Sequence, residues 1–268
     1  MLQHELPGQR IRYTDGAAYE RTIGRWSRLA GERFLDWLAP SPYLGWIDVG
    51  CGNGSFTELL VDRCAPRAIA GVDPAEAQLD YARTRRACRS ADFLQGDATA
   101  LPFPDETFDA AVMALVIFFV PDPAKGVAEM KRVVRPGGMV AAYAWDMMNA
   151  GFPFNSIQTE MRTLGIPPMY PPMCEVSRLE ALGNLWRAAG LAFVETCAFT
   201  VQRTYDDFDD LWMTSCLTAS VAPKLATMPA ADVDRLKTRM RACSPPDASG
   251  RITVSARVTA TKGRVRAH

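Results

Sequence analysis

The sequence predicts an α/β fold, a largely parallel sheet wound through helices. Short apolar runs alternate with helical patterns as far as residue 146, the order expected of repeated strand–helix–strand units. In the run Trp46-Ile-Asp-Val-Gly-Cys-Gly-Asn-Gly-Ser-Phe56, three glycines at alternate positions join an apolar strand to a helix. Ala110 to Val120 is apolar throughout and bounded by Asp109 and Pro121, the length and composition of a strand buried on both faces.

The elements follow in order. Trp26, Leu29, Ala30, Phe34, Trp37 and Leu38 recur at helical spacing, and Ser27 is placed to cap this leading helix. Glycines in the following strand–helix turn let the backbone bend tightly and approach a ligand where a β-carbon would clash. The turn opens onto a helix N-terminus with free N–H groups. Ala68-Ile-Ala-Gly-Val-Asp73 reads as a second strand ending in a carboxylate, with Pro74 opening the next helix. A carboxylate at that strand end can accept both ribose hydroxyls of a nucleoside, or simply cap the helix. Ala91 to Ala98 reads as a third strand ending in Gly96-Asp97-Ala98. Asp122 caps a helix with Pro123 just inside it, and Val127, Met130 and Val134 form its apolar stripe. Arg132-Val-Val-Arg-Pro-Gly-Gly138 leads into a strand from Met139 to Trp145. Arg178 to Ala189 is helical and closed by Gly190, and residues 192–203 and 251–262 are the last two strands.

Two ligands compete for the glycine turn. A dinucleotide fingerprint runs Gly-x-Gly-x-x-Gly, but here the third glycine, Gly54, comes one place early and Ser55 stands where that fingerprint expects it. Asp48, two residues before Gly50, repels a pyrophosphate and suits a ligand carrying an amine or a sulfonium. Asp48-x-Gly50-x-Gly52-x-Gly54 resembles the first motif of class I S-adenosylmethionine-dependent methyltransferases. Together with the elements through Trp145, the order is similar to the type 11, ubiquinone/menaquinone-biosynthesis-like group, strongly over about residues 19–146 and loosely elsewhere.

The resemblance implies a Rossmann-like seven-stranded mixed sheet with helices on both faces, its final strand antiparallel, plus helical lid insertions. It implies S-adenosyl-L-methionine as cofactor. Asp48 would hold the amino end of its methionine moiety, with Gly50, Cys51 and Gly52 giving close backbone approach. Asp73 would take the ribose and Pro74 would lie against the adenine; Gly96, Asp97 and Ala98 would read its edge, with Leu115 packed nearby. Tyr19-Glu-Arg-Thr-Ile-Gly-Arg-Trp-Ser27 resembles a stretch that covers the cofactor, with Tyr19 bonding its methionine end and Arg25 reaching its carboxylate. The stretch Ala114 to Pro121 lacks the Asn/Asp-Pro-Pro-Tyr/Phe signature of amino-group methyltransferases, and its Phe118 and Phe119 either meet an apolar or aromatic part of the acceptor or, for at least one of them, pack in the core. Trp145, Met148 and Phe154 join them as substrate-pocket candidates. Methionine and aromatics in loops after the strands can build an adaptable pocket.

Composition narrows the rest. Thirty basic and thirty acidic residues leave no electrostatic footprint for nucleic acid. The basic runs Arg83–Arg89 and Arg251–Arg266 read as a solvated helix end and a final strand with its tail. Asp206-Asp207-Phe-Asp209-Asp210 reads as acids in a helix's first turn rather than a metal site. Seven cysteines without a C-x-x-C pair suggest reduced thiols, and no secretory signal or membrane span is read, so a cytoplasmic protein is expected. The only histidines, His4 and His268, sit at the extremities, so no catalytic base is assigned. The expected plan is one methyltransferase domain over 1–268: a helical cap at 1–40, a cofactor-binding core at 41–146, and substrate-lid insertions at 147–190 and 204–250. The expected activity is metal-free methyl transfer to oxygen or carbon of a small, partly apolar molecule. An NAD-binding oxidoreductase and a non-catalytic S-adenosylmethionine-binding module are the alternatives, and oligomeric state stays open.

Overall fold

The computed structural model of the chain describes residues 20–267. Its centre is a seven-stranded sheet in the order β3-β2-β1-β4-β5-β7-β6. The strands are β1 (Gly45–Val49), β2 (Ala68–Asp73), β3 (Ala91–Gln95), β4 (Phe108–Ala114), β5 (Val134–Trp145), β6 (Ala192–Tyr205) and β7 (Ile252–Arg264). β1 to β5 pair in parallel, and β7 runs antiparallel to both of its neighbours. This is the seven-stranded mixed sheet that the sequence resemblance implies.

Helices cover both faces. α1 (Arg25–Leu38), preceded by a π-helical turn at Glu20–Gly24, packs with α2 (Ser55–Cys64). Phe34 of α1 lies 4.6 Å from Tyr143 of β5 and 6.1 Å from Phe56 of α2 between ring centroids, joining three elements in one aromatic cluster. α3 (Glu76–Thr84) packs on β2 and β3. α4 (Pro123–Val133) and α6 (Leu179–Ala188) pack against each other and the sheet, where the buried Trp186 indole donates to the Val140 carbonyl at 2.9 Å. Trp46 and Ile47 of β1 and Val112 of β4 are fully buried, which is why these central strands read as unbroken apolar runs.

The insertions supply α5 (Asn155–Thr163), the short α8 (Ala222–Leu225), α7 (Phe208–Cys216) and α9 (Ala230–Ala242). α6 falls inside the 147–190 span expected to form a lid, but it is a sheet-covering helix; its buried Leu182 and Trp186 belong to the core. Trp145 is level with Val258, and Val258 with Phe199. Residues 200–205 and 252–257 therefore continue as a two-stranded extension above the carboxyl edge of the sheet.

Several local expectations are corrected. The apolar run 110–120 is not one strand: β4 ends at Ala114, and a 3-10 turn spans Ile117–Phe119. The break is Leu115, whose N–H donates to the Tyr143 carbonyl at 2.9 Å while its φ of 62° turns the chain out of the sheet. Ser27 does not cap α1 but lies buried within its first turn. Pro74 precedes α3 by two residues, and the Asp73 carboxylate takes the Ala75 N–H at 2.9 Å. Val134 opens β5, and the buried stripe of α4 ends at Val133. Asp122 does cap α4, accepting from the Lys125 N–H at 3.0 Å, and Asp207 caps α7 by accepting from the Asp210 N–H at 2.9 Å.

Candidate functional site

The site is built at the carboxyl ends of β1, β2, β3 and β4, where open α/β sheets bind nucleotide-like ligands. Gly50, Gly52 and Gly54 all have positive φ, 75°, 52° and 77°. They serve different ends. A methyl group on Gly50 would overlap the Val116 side chain, and one on Gly54 would press on Ala82 of α3. A methyl group on Gly52 would meet nothing within 4 Å. Gly52 therefore leaves open space beside the backbone, as close approach of a ligand requires.

Three carboxylates stand around this turn with different environments. Asp48 is fully buried, and its Oδ2 accepts from the Thr57 hydroxyl at 2.7 Å while its buried Oδ1 has no partner. Burial lifts its pKa from 3.8 to about 7; the Asp73 charge adds to this and the Thr57 hydrogen bond opposes it. Asp73 is half-buried and braces the turn, taking the Gly52 N–H on Oδ2 at 2.9 Å and the Ala75 N–H on Oδ1. Burial also raises its pKa, against the lowering effect of those two N–H bonds. Asp97 is exposed, with Oδ1 accepting from both the N–H and the hydroxyl of Thr99. Those bonds hold its pKa below the usual carboxylate range.

The other expected residues fall around this frame. Gly96 donates to the Asp73 carbonyl at 3.1 Å, fixing the start of the Gly96-Asp97-Ala98 loop beside β2. Arg132 holds the continuation of that loop through the Leu101 and Phe103 carbonyls. Ala98 is half-buried, Pro74 exposed and Leu115 buried. The Cys51 N–H donates to Val72, and burial together with the nearby Asp48 and Asp73 charges pushes its thiol well above the ordinary range, leaving a small inert side chain. Arg25 is exposed at the start of α1, and Tyr19 lies outside the described residues, as do His4 and His268. Of the pocket candidates, Phe119 and Met148 are half-buried. Phe118, Trp145 and Phe154 are packed in the core, at 3%, 3% and 1% exposure.

Two contributors escape sequence reading. Thr57 carries no motif; it meets Asp48 only because α2 doubles back over β1. Arg85, one of a basic run read as a solvated helix end, instead binds the Asn53 carbonyl at 2.6 Å and Glu58 at 2.7 Å, clamping the glycine turn from α3.

The orphaned Asp48 oxygen and the open space at Gly52 fit S-adenosylmethionine. The first offers a partner for a cationic amine and the second a close backbone seat, whereas a buried carboxylate beside the turn opposes a pyrophosphate. The fold is that of class I S-adenosylmethionine-dependent methyltransferases. Residues 47–142 match the family described as a methyltransferase domain; the cofactor of this family is S-adenosyl-L-methionine. The chain is 41% identical over 93 residues to 2-methyl-6-phytyl-1,4-hydroquinone methyltransferase 2, chloroplastic, of Oryza sativa subsp. japonica, covering 35% of this chain and 27% of that protein. It is 34% identical over 143 residues to the demethylmenaquinone methyltransferase of Renibacterium salmoninarum, covering 53% and 56%. The chain thus spans only part of the length of these relatives. The YcgJ protein of Bacillus subtilis has a similar fold, with a TM-score of 0.61 at 18% identity over 89% of this chain and 99% of that one. No described helix is long and apolar enough to cross a membrane.

Proposed function

We propose that the chain transfers a methyl group to oxygen or carbon of a small, partly apolar molecule, as a single methyltransferase domain of the cytoplasm. The observation that carries this reading is the buried Asp48 beside the glycine turn, with one oxygen fixed by Thr57 and the other unpartnered. S-adenosylmethionine, when bound, supplies an already activated methyl group. What the chain must do is hold cofactor and acceptor in line and keep water out. Asp48 binds the ammonium group, and Gly50 to Gly52 seat the methionine portion against backbone. Asp73 accepts from the ribose hydroxyls while it keeps Gly52 in place. Asp97 and Ala98 bind the adenine edge, with Leu115 and Pro74 against its faces and Tyr19 and Arg25 closing over the methionine end. Phe119 and Met148, both half-buried, give the acceptor an apolar wall backed by the core residues Phe118, Trp145 and Phe154, and the insertions around α5 and α7 to α9 cover it. The hydroquinone and quinone methyltransferases among the relatives support an acceptor of that general kind. The reading includes no nucleic-acid partner and no metal requirement, so turnover is expected to survive a chelator.

Calorimetric titration tests the reading. S-adenosylhomocysteine is expected to bind at micromolar concentration and NADH not at all; binding of NADH alone would return the turn to a dehydrogenase reading. Asp73→Ala is expected to weaken S-adenosylhomocysteine by about tenfold or more, through loss of charge-assisted hydrogen bonds. An affinity within twofold of the parent would remove Asp73 from the ribose.

A further inference from the structure

Arg203 of β6 is 9% exposed and forms no ion pair with any described carboxylate. Its guanidinium carries five N–H donors, yet its contacts are one long bond from Nη1 to the Thr22 carbonyl, at 3.4 Å, and the face of Tyr205, 4.3 Å from Cζ to the ring centroid. A buried cation without a counter-ion is costly, because desolvation is not offset by attraction. The oxygens of Asp210, five residues along the chain from Tyr205, accept from the Thr214 hydroxyl and the Asp206 N–H.

Arg203 and Tyr205 lie on the extension of β6 that stands above the carboxyl edge of the sheet. The Tyr205 hydroxyl accepts from the Trp26 indole at 3.1 Å, which leaves its own proton to donate. Trp26 in turn sits edge-on to Trp145, the last residue of β5, with 6.4 Å between ring centroids. A cation and a hydroxyl donor thus face the edge of the sheet where the acceptor is placed, walled by two tryptophans. We propose that Arg203, with Tyr205, anchors a carboxylate of the methyl acceptor, so that the substrate class is an apolar or aromatic carboxylic acid. The inference rests on the methyltransferase reading and names its substrate class. The planar guanidinium fork matches the two oxygens of a carboxylate, and the Tyr205 hydroxyl adds a third donor beside it.

The test uses the full chain saturated with S-adenosylhomocysteine and titrated with benzoate, phenylacetate and octanoate, each beside its methyl ester, and with inorganic phosphate. At least one acid is expected to bind about tenfold more tightly than its ester, and phosphate not to bind. Arg203→Met is expected to remove most of that preference, while Arg203→Lys keeps the preference at an affinity lowered about threefold to tenfold. Should the methionine variant fail to fold, the lysine variant still decides through its drop for acids and not for esters. Failure of S-adenosylhomocysteine to bind the parent would defeat the methyltransferase reading itself. If it binds but acids and esters bind alike, or no acid binds, or Arg203→Met keeps acid affinity within twofold, the anchor is wrong and the methyltransferase reading stands.

Discussion

Asp48 sits with no solvent exposure at the end of β1, one oxygen held by Thr57 and the other bare, and this arrangement costs stability when no cation is present. Its pKa is raised from 3.8 to about 7, so the folded chain holds the proton more tightly than the unfolded chain. Stability contributed by this group therefore falls as pH rises from about 4 towards 7 and is lowest above that range. Asp48→Asn is expected to stabilise the cofactor-free protein by about 1–3 kcal/mol at pH 8, with the gain shrinking towards pH 4. The same change is expected to weaken S-adenosylhomocysteine by about tenfold or more, since the ammonium loses its counter-ion. Thermal melts across pH and calorimetry check both halves; an equal gain at both ends of the pH range would show that the buried charge is not the cause. Asp48 was legible because its place relative to three glycines is a local pattern. Thr57 and Arg203 were not: each acquires its role from a residue that only folding brings near.

The glycine turn joins β1 to α2 by a short link, and its glycines divide their work in a way that can be separated experimentally. Gly50→Ala would drive a methyl group into Val116 at a positive φ, so destabilisation of about 2–4 kcal/mol is expected. Gly52→Ala meets open space and carries only the backbone strain, about 1 kcal/mol, yet it is expected to lower S-adenosylhomocysteine affinity by about tenfold or more by filling the seat. Denaturant melts paired with titrations separate the two effects. Equal affinity in the parent and Gly52→Ala would show that the ligand does not lie against that backbone. The end of β4 shows the converse limit of pattern reading. An unbroken apolar run reads as one strand, but hydrophobicity says only that the segment is buried, and Leu115 with positive φ ends the strand inside it.

Across the whole molecule, the two insertions are tied to each other above the sheet. Glu160 of α5 is buried and accepts from Arg239 Nε of α9 at 2.6 Å and from the Cys243 thiol at 3.4 Å, while Gln158 donates to Ser220 at 3.2 Å. α5 and α9 pack directly together, and removing the carboxylate leaves a buried hole beside Arg239. Glu160→Ala is expected to raise amide exchange about tenfold in both 155–163 and 230–242 and to leave the sheet unchanged, because local opening follows the elements that lose contacts. Faster exchange in only one of the two segments would mean that they open independently.

The sequence by itself determined the sheet of parallel strands, the glycine turn and the acidic residues Asp48, Asp73 and Asp97, because strand burial, backbone permissiveness and carboxylate position are local properties with a fixed spacing. Only the tertiary structure decided how the charges are used. Arg85 turned from a solvated helix end into a clamp on Asn53, and α6 from a lid into a sheet-covering helix. Arg203 became a buried cation where β6 meets the Thr22 carbonyl, 181 positions away in the chain. Burial and counter-ions depend on which distant segments pack together, and nothing in the residues adjacent to a charge records that.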